Sequence, residues 1–260
     1  MGKFRPSENC IFAIPDVHGR ADELQVILKR ILPLRKNKNG QDKIVFLGDY
    51  IDRGSKSPEV IEILIDLKLQ YADQVTLLLG NHDDLMLRAC NYKEQWDDPR
   101  KDSAYSIWVR NGGDETILSY AKKSGSDITN IFGIPKDRNI SFVDKHHLDF
   151  LSKNTQIYHE TDSHIFIHGG MNYHIDLKDH TEETLLWDRS LFDFVLNTSP
   201  DVKLPWKKKI VCGHSYMGPV IRDKYIMLDA SKAQKLMVCE LNSMEIFYVG
   251  YGNSKMTKNI

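Results

Sequence analysis

The stretch Gly48-Asp49-Tyr50-Ile51-Asp52-Arg53-Gly54 sets three charged side chains between two glycines, directly after the apolar run Lys43–Leu47. A run of that length, rich in Ile, Val, Leu and Phe, reads as a buried strand. Beyond the loop, Ser57 can cap and Pro58 suits a first helical position, which predicts a helix over Pro58–Leu69. Strand, polar loop and helix make the unit of an α/β fold, in which ligands bind outside the carboxyl ends of the strands. The unit recurs on both sides. Cys10–Ile14 runs into Pro15-Asp16-Val17-His18-Gly19 and a helix over Asp22–Leu32 stopped by Pro33, and Gln74–Leu79 runs into Gly80-Asn81-His82-Asp83. Two later runs, His164–Ile167 and Lys209–Cys212, end in His168-Gly169-Gly170 and Gly213-His214-Ser215.

Taken singly, each cluster is bland: Asp-x-His is common by chance, Gly-Asn-His-Asp is a turn, and a lone His168 is a core histidine bonded to backbone. Their conjunction is informative. Five strand ends all supply carboxylate, imidazole or carboxamide, and none supplies a thiolate. That mixed oxygen and nitrogen set suits Mn²⁺, Fe²⁺ or Zn²⁺ better than a thiolate-seeking metal or an all-oxygen calcium cage. Six ligands exceed what one catalytic zinc takes. Two cations sharing a carboxylate, about 3.5–4 Å apart in such sites, can bind both the attacking oxygen and the phosphoryl oxygens of an in-line displacement. Phosphoester hydrolysis is the chemistry this layout serves.

The remaining sequence narrows the field. Lys and Arg number 35 against 36 Asp and Glu, so the charge of −1 leaves no basic footprint for a nucleic-acid scaffold. Cys10, Cys90, Cys212 and Cys239 form no C-x-x-C pair, which argues against a zinc ribbon and for reduced thiols in a cytoplasmic protein. No stretch approaches the roughly 18 apolar residues of a span, so no membrane partner is expected. None of the cysteines has Arg six positions later, and no Gly-x-x-x-x-Gly-Lys-Ser/Thr loop exists, so cysteine phosphatase and P-loop chemistry are unsupported. A further helix is expected over 104–123, broken near Asn111-Gly112-Gly113, in a mainly helical segment over about 85–152. Val220–Leu228, Lys235–Leu241 and Met244–Val249 read as an antiparallel meander, and the whole chain as a single domain.

These motifs resemble the phosphoprotein phosphatase branch of the calcineurin-like metallophosphoesterases, from about Cys10 to Val249, with the 48–54 stretch the most specific. Trp108-Val109-Arg110-Asn111-Gly112-Gly113 and Leu185-Leu186-Trp187-Asp188-Arg189 are similar to the compact bacterial and phage serine/threonine phosphatases. The resemblance implies a four-layer α-β-β-α sandwich of two mixed sheets flanked by helices. It also implies that Asp16, His18 and Asp49 hold one metal while Asp49, Asn81, His168 and His214 hold the other, with Mn²⁺ first and Fe or Zn as alternatives. The nucleophile it implies is a metal-bridging water that attacks directly, without a phosphoenzyme. His82 is the expected general acid and Asp52 its orienting partner. Arg53 is expected to grip phosphate oxygens through its planar fork, and Arg189 to act as a second clamp.

The implied substrate is a phosphoprotein or small phosphoester; a bis(5'-nucleosyl)-tetraphosphatase is the alternative, and a noncatalytic binding module a third reading. Pro15 stands where relatives have glycine, and Leu228-Asp229-Ala230-Ser231 replaces a glycine-containing rim. Asp83-Asp84 stands where many protein phosphatases have Glu, which bears on substrate choice. His146, His147, His174 and His180 are expected to be solvated or packed, Cys212 a buried strand thiol, and Asn91–Lys101 a loop over the cleft.

Overall fold

The computed structural model describes residues 9–37, 40–94, 103–126, 140–172, 174–200, 203–204 and 206–258. The first three units form as expected: β1 (Ile11–Ile14), α1 (Ala21–Ile31), β2 (Lys43–Phe46), α2 (Ser57–Tyr71), β3 (Val75–Leu78) and α3 (Asn81–Ala89). β1, β2 and β3 are parallel neighbours. Then come α4 (Ala104–Trp108), α5 (Asp114–Ser124), α6 (Lys145–Asn154), β4 (Thr155–Gln156), β5 (Tyr158–Glu160) and β6 (His164–Ile167). The chain continues through α7 (Glu182–Trp187), α8 (Ser190–Asn197), β7 (Lys209–Cys212), β8 (Val220–Arg222) and β9 (Tyr225–Met227). It closes with β10 (Lys235–Glu240), β11 (Glu245–Gly250) and β12 (Met256–Lys258). A short hairpin pairs Lys36–Asn37 with Gly40–Gln41.

The strands make two mixed sheets, in the orders β12-β11-β10-β1-β2-β3-β4 and β8-β9-β7-β6-β5. Side chains of a strand point alternately to its two faces, and here both faces are covered, which is why these strands read as unbroken apolar runs. Phe12, Ile14, Ile44 and Phe46 join Leu24, Ile27, Val60, Leu64 and Leu151 of the helices in one core. Ala13, Val45, Phe166 and Val211 meet between the sheets. Ile165, Ile167, Ile210 and Cys212 pack with Leu185, Leu191 and Phe192 of α7 and α8 in a third. Helices, sheet, sheet, helices is the expected four-layer sandwich, and each large buried apolar side chain contributes about 1.5–3 kcal/mol to holding it.

Two expectations need correcting. The C-terminal strands are not one meander: Val220–Leu228 splits into the β8–β9 hairpin, whose second strand runs parallel to β7, whereas β10 and β11 extend the other sheet. Alternation marks a strand but says nothing of which sheet it joins. The short β4, β5 and β12 carried too few residues to register as strands. Ser57 does not cap α2; it lies inside the helix, buried, with its hydroxyl accepting from the Asp52 N–H at 3.2 Å. The break in the helix at 104–123 does occur, as a π turn over Val109–Gly113 with Gly112 at φ 101°. Of the expected loop over the cleft, 95–101 lie outside the described residues, as do 95–102 and 127–139 of the middle segment.

Candidate metal centre

β1, β2, β3, β6 and β7 deliver their loops to one crevice, and all six expected metal ligands are buried there. The turns are tight enough that five non-glycine residues, His18, Asp49, Asp52, Arg53 and His214, take left-handed backbone at φ 46° to 73°. Such conformations cost free energy and persist where surrounding structure enforces them. The enforcement is visible. The N–H groups of Val17 and His18 both donate to the Asp49 carbonyl at 2.9 Å, and Gly19 N–H donates to the Tyr50 carbonyl. Gly80 is required beside Asp49: a Cβ there would lie 2.1 Å from both Asp49 N and Asp49 Oδ1. Gly80→Ala is therefore expected to cost about 1–3 kcal/mol of stability through overpacking and to lower metal content with it, checked by denaturant unfolding and elemental analysis.

Two candidate ligand groups share the Asp49 carboxylate: His18, Asp49 and His82, and Asp49, His168 and His214. Asp49 Oδ2 is 3.7 Å from His18 Nε2, and Asp49 Oδ1 is 3.4 Å from His168 Nε2. Asp16 sits at the edge of the first group, 3.8 Å from His18 Nε2, with its carboxylate accepting the His214 N–H at 3.0 Å. Asn81 Oδ1 completes the second group, 2.9 Å from His168 Nε2 and 3.0 Å from His214 Nδ1.

The chemistry of these donors fits divalent cations. His168 Nδ1 faces the Leu47 carbonyl at 2.8 Å and His214 Nε2 faces the Trp187 carbonyl at 3.3 Å. A carbonyl only accepts, so those ring nitrogens carry the hydrogens. Burial holds both imidazoles below their usual pKa, hence neutral, and leaves His168 Nε2 and His214 Nδ1 as lone pairs. Both lone pairs then point at the carboxamide oxygen of Asn81, and the three acceptors converge with no hydrogen between them. A cation is what such a cluster holds. The acids agree. Burial, then the charges of Asp229 and Asp49, push the Asp16 carboxyl well above its usual range.

The expected acid and its partner meet closely. His82 Nδ1 lies 2.6 Å from Asp52 Oδ2, and Asp52 also receives Trp108 Nε1–H at 2.9 and 3.0 Å and the Thr116 hydroxyl at 2.7 Å. Burial raises the Asp52 pKa, and the bonds from His82, Thr116 and Trp108 pull against it. With Nδ1 engaged, His82 Nε2 faces the crevice. Arg53 spans two rings there, donating to His18 Nε2 at 2.7 Å and to His82 Nε2 at 2.9 Å, while its own N–H is held by the Gly112 carbonyl at 3.1 Å. The π turn is thus the device that seats Arg53. Arg189 reaches the other side, donating to the His214 carbonyl at 3.4 Å.

Four residues support the site in ways that only the tertiary structure reveals. Trp108 and Thr116 stood in recognised motifs, but only tertiary structure brings them to Asp52. Asp229, in the altered rim, is buried and accepts from the N–H groups of Tyr216 at 2.6 Å and Ser231 at 2.9 Å. Asp83, where many protein phosphatases have Glu, is buried beside the ligand loops. Its carboxylate turns back to accept from Asp49 N and Gly80 N (2.8 and 3.0 Å) and Tyr50 N (3.0 Å), bracing the two ligand loops. His147 is buried against the Tyr120 hydroxyl at 2.7 Å, and Cys212 is a buried thiol, both packed as expected. Among the described residues no helix is long and apolar enough to cross a membrane.

The model of the calcineurin-like phosphoesterases matches residues 11–223. The serine/threonine-protein phosphatase 4 catalytic subunit of Eremothecium gossypii is 37% identical over 68 residues, 26% of this chain and 20% of that protein, so the match spans a fifth of that relative's length. A protein serine/threonine phosphatase from Saccharomyces cerevisiae superposes with a TM-score of 0.52 at 15% identity, over 98% of this chain and 80% of that one. A crystal structure given as a candidate diadenosine tetraphosphatase superposes with a TM-score of 0.53 at 15% identity, over 97% and 98%. At that identity the two structures establish the shared fold and nothing finer.

Proposed function

We propose, from the premise that the chain belongs to the calcineurin-like phosphoesterase family, that it is a divalent-metal-dependent phosphomonoesterase acting in the cytoplasm on serine and threonine phosphates of proteins. The observation that carries this reading is the His82–Asp52 pair, 2.6 Å apart and buried beside a carboxylate shared by two ligand groups. A serine alkoxide is a poor leaving group and needs a proton as it departs. An imidazole held by a carboxylate at the edge of a metal centre is placed to provide one.

Asp16, His18 and Asp49 would hold one metal and Asp49, Asn81, His168 and His214 the other, with Mn²⁺ the first choice for this donor set. When bound, the metals supply Lewis acidity and activated water. The chain's own residues do the rest. Arg53 presents its fork at the mouth, where it orients phosphoryl oxygens in bidentate fashion, and Arg189 closes from the His214 side. Asp52 fixes the His82 ring through Nδ1, and once Arg53 turns from His82 Nε2 to the phosphoryl oxygens, that nitrogen carries the proton that passes to the leaving oxygen. Trp108 and Thr116 hold Asp52 so that it does not swing away from the ring.

The test is an assay of the purified, Mn²⁺-loaded protein on phosphoserine and phosphotyrosine peptides, para-nitrophenyl phosphate and diadenosine tetraphosphate. Turnover of phosphoserine peptide with the highest kcat/KM is expected. Selective cleavage of the dinucleotide would replace this reading with that of a nucleotide hydrolase, and no turnover of any substrate would make the chain a binding module.

A further inference from the structure

Beside the metal centre opens a cavity of about 590 Å³, lined by His18 and Arg53 of that centre together with Arg20, Tyr216, Lys232 and Tyr251. No carboxylate is among its lining residues. Arg20 lies flat over Tyr251, its guanidinium carbon 4.2 Å from the ring centroid, and Lys232 Nζ lies 5.9 Å from the centroid of Tyr216. Among the described residues neither cation has a carboxylate within 4 Å, although acids outnumber bases in the chain. Arg20 Nε is moreover buried with no hydrogen-bond acceptor. A buried donor without a partner is costly and calls for an explanation.

We propose that this cavity is a subsite for a second anionic group of the substrate, adjoining the phosphoryl group that is cleaved, and that Arg20 and Lys232 select for it. The inference rests on the phosphoesterase reading above and deepens it by naming the charge of the preferred substrate. An anion entering here meets an acceptor-free guanidinium and an ammonium, both already positioned on aromatic faces, so little side-chain freedom is lost on binding. The walls are preformed as well. Asp229 bonds the N–H groups of Tyr216 and Ser231 through its two carboxylate oxygens, and Lys232 N–H donates to the Tyr216 carbonyl at 3.2 Å, tying the two loops together. Arg53, common to the metal centre and the cavity, lets a single substrate engage the reactive centre and the subsite at once.

The anion can come from an acidic side chain flanking a phosphoserine or from a further phosphate of a nucleotide, and the experiment separates these sources. Wild type, Arg20→Gln and Lys232→Gln would be compared on phosphoserine peptides differing only in Asp or Ala beside the phosphoserine. The same proteins would be compared on adenosine 3',5'-bisphosphate and on AMP, phosphomonoesters that differ in the second phosphate. The readout is the ratio of kcat/KM with and without the second anion. Wild type is expected to favour the anionic member of at least one pair about tenfold, and each variant to lose most of that preference, chiefly through KM. A preference confined to the peptide pair assigns the subsite to a carboxylate, and one confined to the nucleotide pair assigns it to a phosphate. An active wild type with no preference, or variants that keep it, overturns the subsite alone. Absence of turnover on every substrate, para-nitrophenyl phosphate included, sinks the phosphatase reading instead. Lys232 is exposed, so its replacement tests the idea even where Arg20→Gln weakens the fold.

Discussion

Asp49→Asn is expected to empty the centre of metal and lower kcat/KM on any phosphomonoester by about a thousandfold or more. That magnitude corresponds to the loss of several kcal/mol of transition-state stabilisation by metal ions. The reason is positional. Asp49 is the one carboxylate shared by both candidate ligand groups, with Oδ1 toward His168 and Oδ2 toward His18. Two dications side by side repel each other, and only an anion between them offsets that repulsion. Asparagine keeps the volume and an oxygen for the His82 N–H, which now bonds Asp49 Oδ1 at 3.0 Å, so the fold is preserved while the charge is lost. Its amide nitrogen would also turn hydrogens toward imidazole lone pairs that ought to face a metal. The checks are metal content per chain and kcat/KM, alongside a circular dichroism spectrum to show that the fold survives. A variant that keeps two metals and near-native turnover would refute the bridging role.

His82→Asn is expected to separate substrates by leaving group. Turnover of a phosphoserine peptide should fall about 100-fold to 1000-fold, within the ordinary range for a general acid. Turnover of para-nitrophenyl phosphate should fall less than about tenfold, because its phenolate leaves without protonation. His82 Nδ1 is committed to Asp52, so Nε2, which accepts from Arg53 at 2.9 Å, is the nitrogen left to carry a proton to the leaving group when Arg53 grips the phosphoryl oxygens. His82 also lies within reach of the first ligand group, 3.9 Å from Asp49 Oδ2, so a ligand role is the competing assignment. The two roles predict different results. Equal losses on both substrates together with loss of metal would make His82 a ligand rather than an acid.

What the sequence disclosed and what it hid follow from the range of the interactions. The strand ends were legible because each ligand cluster directly follows a run buried on both faces, as Ile44 and Phe46 face the helices while Val45 faces the other sheet. Period and punctuation are local signals. The supports of the site are not: Trp108 and Thr116 reach Asp52 from 56 and 64 residues away, and Asp16 meets the His214 N–H across 198. Asp83 shows a subtler limit. It directly follows Asn81 and His82 in sequence, yet the geometry of the first turn of α3 points its carboxylate back at three backbone N–H groups. The cavity beside Arg20 was hidden for the same reason, since it is assembled from the stretch before α1, from Arg53, and from three segments at Tyr216, Lys232 and Tyr251 more than 190 residues further along.

The most direct test of the two-metal claim is anomalous diffraction from crystals of the Mn²⁺-loaded protein, with metal content measured on the same preparation. Two peaks are predicted, one among Asp16, His18 and Asp49 and one among Asp49, Asn81, His168 and His214. A single peak, or peaks that leave Asp49 or Asn81 unbound, would contradict it.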